Sequence, residues 1–151
     1  MTWATVDDFI GALPGGEAVQ ISNPPESFAE VPDRDRIQLA LTQAAGEILS
    51  ELGGRFDRAI LAASVSADLA SIQIAFARWN LDRDVVGRPR DFVYKDAEDR
   101  RLRLRRISRG EAALEYTPPE ATEPVAGDPT PTITPIMTIG ADINTGSGWW
   151  A

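Results

Sequence analysis

The 151-residue chain has neither cysteine nor histidine. Without cysteine there are no disulfides, so a small cross-linked secreted scaffold is excluded. Lacking both residue types also removes the thiolate and imidazole ligands of structural zinc, and with them Ser-His-Asp and Cys-His nucleophilic machinery. A carboxylate-only metal site is what survives of metal chemistry. No apolar run reaches the roughly 18–20 residues needed to span a bilayer, and the N-terminus lacks the basic, hydrophobic pattern of a signal peptide. The expected compartment is cytosol-like, unless the protein is packed into a particle. No GxxxxGK[ST] phosphate loop occurs. The DRDR and DRD stretches, residues 33–36 and 82–84, lack the glycine and terminal acid of a calcium loop, and charge pairs at helix ends explain them better. These absences predict a protein that is not an enzyme and carries no cofactor.

Positive charge is missing from residues 111–151, which carry six acids. Residues 1–87 are also acidic, at −7. Between them residues 88–110 hold nine Arg or Lys against four Asp or Glu, a local +5 in a chain of net charge −8. A basic segment between two acidic ones suggests head-to-tail contacts between copies. The overall negative charge speaks against a generic DNA binder, because phosphate repels such a chain at long range.

Hydrophobic residues make up 43% of the chain and charged residues 25%, ordinary for a globular protein. The length accommodates one domain and an appendage. Residues 4–16, ATVDDFIGALPGG, open with a helix start: Thr5 can cap, Asp7 and Asp8 occupy the first turn, and Phe9, Ile10 and Leu13 supply an apolar face. Pro14-Gly15-Gly16 stops it. Residues 17–32, with paired prolines, read as irregular. From Asp33, a plausible cap, apolar residues at Ile37, Ala40, Leu41, Ala44, Ala45, Ile48, Leu49 and Leu52 form one continuous helical stripe that ends at Gly53-Gly54. Residues 63–84 read as a third helix, with Leu69, Ile72, Phe76 and Trp79 at helical spacing and Trp79 as a core anchor. Residues 89–109 read as a fourth, with Pro89 in its first turn and Gly110 as its stop. RRLRLRR within it also alternates with period two, as a short strand would. The acids at the N-terminal side and the arginines at the C-terminal side favour helix. The expected fold is all-α: a small bundle of about four helices over residues 1–116, followed by an extended Pro/Thr-rich arm over residues 117–151.

Two features stand out as candidate interaction sites. Arg100, Arg101, Arg103, Arg105, Arg106 and Arg109 form the conspicuous chemical cluster. They fit a solvated helix face with local acid pairs, a docking face for acidic protein surfaces including other copies of the chain, or a DNA contact. The third is weakened by net charge and by the lack of interleaved aromatics. The second feature is the end of the arm, where Ile133, Ile136, Met137 and Ile139 alternate imperfectly with polar residues and Trp149 and Trp150 nearly close the chain. Such a segment either folds back onto its own domain or docks on another surface as an added strand with aromatic anchors.

Four stretches carry a resemblance: ATVDDFIGAL (4–13), DRIQLALTQAAGEILSELGGRFD (35–57), LASIQIAFARWNLDRD (69–84) and RPRDFVYKDAEDRRLRLRRISRGEAAL (88–114). In this order they resemble the Mu-like phage family of small head–tail joining proteins, the gene 36 product family, over roughly residues 3–116. The match is a string of moderate similarities, no single motif being specific. Arg101 departs from the pattern, standing where the family tends to place an apolar residue on the last helix. The resemblance implies a non-enzymatic connector, or adaptor, subunit of the virion neck, assembled in the host cytoplasm. Such subunits form a ring with other copies, usually twelvefold, beneath the portal protein. The ring meets the tail terminator or a tail-completion protein and lets channel DNA pass without sequence-specific binding. No membrane partner is implied. The competing reading is a small DNA-binding or DNA-packaging accessory that uses the basic helix.

Overall fold

The computed structural model describes residues 3–119, and within them the chain is helical throughout apart from its connections. The helix α1, Val6–Ala12, is closed at its N-terminus by a capping box: the Thr5 hydroxyl accepts from the Asp8 amide, and the Asp8 carboxylate accepts from the Thr5 amide at 2.8 Å. The 17–32 segment is not irregular throughout. It begins with a short helix, α2, Glu17–Ser22, entered through Gly16 in the left-handed region at φ 80°. Six residues without a side-chain cap are too few to display a period. Tertiary contacts hold α2, through buried Ala18 and Ile21 and through ion pairs of Glu17.

Helix α3, Arg34–Leu52, starts where Asp33 accepts from the Arg36 amide. Its predicted stripe is the centre of the core. Ile37, Ala40, Leu41, Ala44, Ala45, Ile48 and Leu52 are buried, and Leu49 packs at the margin. A second unanticipated short helix follows, α4, Arg58–Ala63, whose first amides at Ala59 and Ile60 donate to Asp57. Ser66 caps α5, Ala67–Val86, so the third predicted helix starts four residues later than the sequence suggested. Leu69, Ile72 and Phe76 are buried as predicted. Trp79 is only half-buried, so Phe76 takes the central aromatic position. Buried Gln73 ties three parts together, donating to the Leu41 carbonyl at 2.8 Å and accepting from the Ala4 amide at 2.9 Å.

The basic segment is helical: α6 runs Asp91–Ser108, with Pro89 lying ahead of the cap residue Arg90 and not in the first turn. Its end is a Schellman closure. The Gly110 amide donates to the Ile107 carbonyl and the Glu111 amide to the Arg106 carbonyl, with Gly110 at φ 81°. The long helices α3, α5 and α6 pack against one another, and α1, α2 and α4 close the periphery. Beyond α6 the chain returns across the body. Leu114 is buried, Tyr116 meets Phe56 edge-on at 6.1 Å, and Thr117 forms an isolated antiparallel bridge with Val65 through hydrogen bonds of 2.9 and 2.7 Å. Of the predicted arm, residues 117–119 are thus seen at its root. Ile133, Ile136, Met137, Ile139, Trp149 and Trp150 lie outside the described residues.

Candidate docking surface

The six arginines of α6 do not form one surface. Successive residues on a helix are turned by about 100°, and the buried positions Val93, Ala97, Leu104 and Ile107 fix the inward face. Arg100, Arg101 and Arg103 flank that face, and each is held by a side chain of another helix. Arg100 donates to the Ser71 hydroxyl at 2.7 Å and sits one turn from Asp96. Arg103 makes a two-toothed contact with Asp68 in the first turn of α5, at 2.8–3.2 Å. Hydrogen bonding to Asp68, and then its charge, raise the Arg103 pKa above the usual arginine value.

Arg101 is the most enclosed of the six arginines. Its side chain is 17% exposed and bridges Glu47 of α3 and Glu98 of α6, each at 2.9 Å. Its guanidinium lies 4.5 Å from the Trp79 ring centroid and 5.1 Å from that of Phe76. Burial works against its charge. Hydrogen bonds and attraction from Glu47 and Glu98 outweigh that burial, so the pKa stands above the ordinary arginine value. The planar face of Arg101 lies against aromatic rings while its edge reaches two carboxylates.

Arg105, Arg106 and Arg109 differ. All three are exposed, and among the described residues none has a carboxylate within ion-pair distance. Together with Leu102, which is 49% exposed, they occupy positions i, i+3, i+4 and i+7 along the end of α6 and its C-cap, Arg109, one outward face. Their location in the last turns suits the negative end of the helix dipole. Arg55 fixes this end of α6 to the body by donating to the Ile107 carbonyl at 2.7 Å.

Two further features were not anticipated. The first is a buried charge network. Both oxygens of Glu17 accept from Arg78 at 2.7 Å, and Glu17 also accepts from Arg90. Arg90 in turn donates through its backbone and side chain to Asp82, which is fully buried, at 2.6 and 2.8 Å. The Phe92 ring lies beside both guanidiniums, 5.0 Å from Arg78 and 4.9 Å from Arg90. The network fastens α2 to α5 and to the turn before α6. Its members are separated by up to 73 positions, so no local pattern announces it.

The second is the loop between α2 and α3. Its base is closed by the Asp33 amide donating to the Ser22 hydroxyl and by Asn23 donating to the Val31 carbonyl, both at 2.9 Å. Inside it, the Ser27 amide and hydroxyl both donate to the Pro24 carbonyl at 2.9 Å. At the tip Phe28 is fully exposed, with exposed Glu26, Glu30 and Val31 around it. A lone phenylalanine between two acids was visible in the sequence, but nothing there says whether it points in or out.

Among the described residues no group of three acids is placed to hold a metal ion, and no helix is long and apolar enough to cross a membrane. The profile of the family described as Bacteriophage Mu, Gp36 matches residues 3–130, so the chain belongs to that phage family. No curated protein matches it.

Proposed function

We propose that this member of the Bacteriophage Mu Gp36 family is a structural protein of the virion neck. In this reading it is a non-enzymatic head–tail connector subunit that forms a ring beneath the portal protein and joins it to the tail or its terminator. The observation that carries the reading is the division of labour along α6. Three arginines are tied into the body, while Leu102, Arg105, Arg106 and Arg109 form an outward cationic face with an apolar centre. A face of that kind suits acidic protein surfaces, and residues 1–87 and 111–151 of this chain each carry a net negative charge. Within a ring, arms rooted at Thr117 can dock many times over, so weak individual contacts reinforce one another. The apolar arm residues Ile133, Ile136, Met137 and Ile139 and the tryptophans Trp149 and Trp150 then serve as anchors on a neighbour or the portal.

A phage in which this protein is not made tests the reading. The expected result is an accumulation of DNA-filled heads and separate tails, reversed when the protein is supplied. Normally joined particles would overturn it. Tight, strongly salt-dependent binding of duplex DNA by the isolated protein would instead support the DNA-accessory alternative.

A further inference from the structure

We infer that the Phe28 loop of one copy docks onto the cationic end of α6 of the next, making a head-to-tail contact between subunits. The inference rests on the connector reading only in requiring that copies meet, and it names the two surfaces that do so.

The loop has the form of a prebuilt knob. Residues 24–32 are pinched off by hydrogen bonds across their base, and Pro24-Pro25 with the Ser27 turn limit their backbone freedom. A fully exposed phenylalanine gains nothing in the isolated chain. Compact closed loops of this size frequently carry function, and a central aromatic with a polar rim is the usual composition of an interface anchor. Around Phe28 the rim is acidic, with Glu26 and Glu30.

The face on α6 is its complement. Leu102 offers an apolar centre for the ring of Phe28, and Arg105, Arg106 and Arg109 offer partners for the two glutamates. Opposite charge and apolar centre coincide on both surfaces.

The knob cannot reach this face in its own chain. It sits at the N-terminal end of α3, where Asp33 closes its base. The cationic face sits at the other end, where Ser108 lies beside Glu51 and Arg55 holds Ile107. The 19 residues of α3 separate them by about 28 Å. Two complementary surfaces at opposite ends of one subunit give a heterologous contact, which closes into a ring or runs on as a filament.

A charge exchange in trans tests this with the full chain. One variant carries Glu26→Lys and Glu30→Lys; the other carries Arg105→Glu, Arg106→Glu and Arg109→Glu. Each alone should lose self-association by sedimentation while keeping the wild-type melting curve. An equal mixture should recover it, since each knob then meets a face of opposite charge. Phe28→Ala should weaken association about thirtyfold, the scale of an interface hot spot. In assembled particles, a photo-reactive phenylalanine analogue at position 28 should cross-link to residues 99–109 of a second, isotopically distinct copy. Failure of the mixture to recover, an unchanged Phe28→Ala, a wild-type protein that never self-associates, or cross-links only elsewhere would each overturn the inference. If these variants nevertheless enter joined particles in normal number, the knob contact falls and the connector reading stands.

Discussion

The start and the end of α6 use arginine in opposite ways. At the start, Arg90 joins Arg78 in holding the buried carboxylates of Glu17 and Asp82. At the end, Arg105, Arg106 and Arg109 face outward with no carboxylate of the described residues beside them. Charge count along the sequence cannot separate these cases, since both regions are simply rich in arginine. The folded chain separates them by what stands opposite. A buried pair is costly to break and contributes little to recognition. An exposed cluster contributes little to stability and remains available to a partner.

Substitutions can push this contrast from both sides. The largest effect is expected at Asp82→Ala, which takes two charge-assisted hydrogen bonds from Arg90 and leaves it Glu17 alone, and should lower unfolding free energy by about 3–5 kcal/mol in denaturant titrations. Ile48→Ala provides an apolar standard in the same core, with a loss of about 2–5 kcal/mol. If Asp82→Ala cost less than a few tenths of a kcal/mol, the network would be ornamental and the contrast would fail. Arg101→Met is intermediate. It keeps an aliphatic stem against Phe76 and Trp79 but removes the contacts to Glu47 and Glu98, with an expected loss of about 1–2 kcal/mol. The triple replacement of Arg105, Arg106 and Arg109 by alanine should change stability by no more than about 0.5 kcal/mol while reducing incorporation into particles. A large loss of stability there would mean that these arginines serve the fold.

The smallest expected effect lies at the other end of the chain. The Asp8 carboxyl is held below its ordinary value of 3.8, first by the Thr5 amide and then by the Thr5 hydroxyl. Because the folded value is the lower one, the contribution of this cap is complete above the unfolded value and fades as pH falls through the folded one. An NMR titration of Asp8 should therefore give a midpoint under 3.8, and a midpoint at or above it would contradict the capping box.

Where the sequence could be read, it was read through repetition. The α3 stripe from Ile37 to Leu52 repeats over four turns, and each member is found in or against the core. Caps were equally readable: Thr5, Asp33 and Gly110 act at the helix ends where their chemistry placed them. The short helices α2 and α4 escaped because six residues hold fewer than two turns. Trp79 was placed too deep because side-chain size alone does not reveal that Arg101 and Arg83 would share its ring. The cationic cluster was readable as a cluster, but its division into engaged and outward members depends on Asp68, Glu47 and Ser71, which lie 29 to 54 positions away. Phe28 is the clearest case of a residue whose type was plain and whose direction was not.

The Val65–Thr117 bridge has a mechanical consequence. Tension applied to the chain beyond residue 119 enters the body at this point. Two backbone hydrogen bonds bear it first, then the Ser66 contact to the Glu115 carbonyl, and then the buried Leu114. Load is thereby delivered to the junction between α4 and α5 before it can pull on the end of α6. A pulled arm would peel residues 114–117 from their seat while the Schellman closure at Gly110 and its Arg55 tether kept α6 in register. Under such a load the bridge would act as a strain relief, in the way a cable clamp spares the joint behind it.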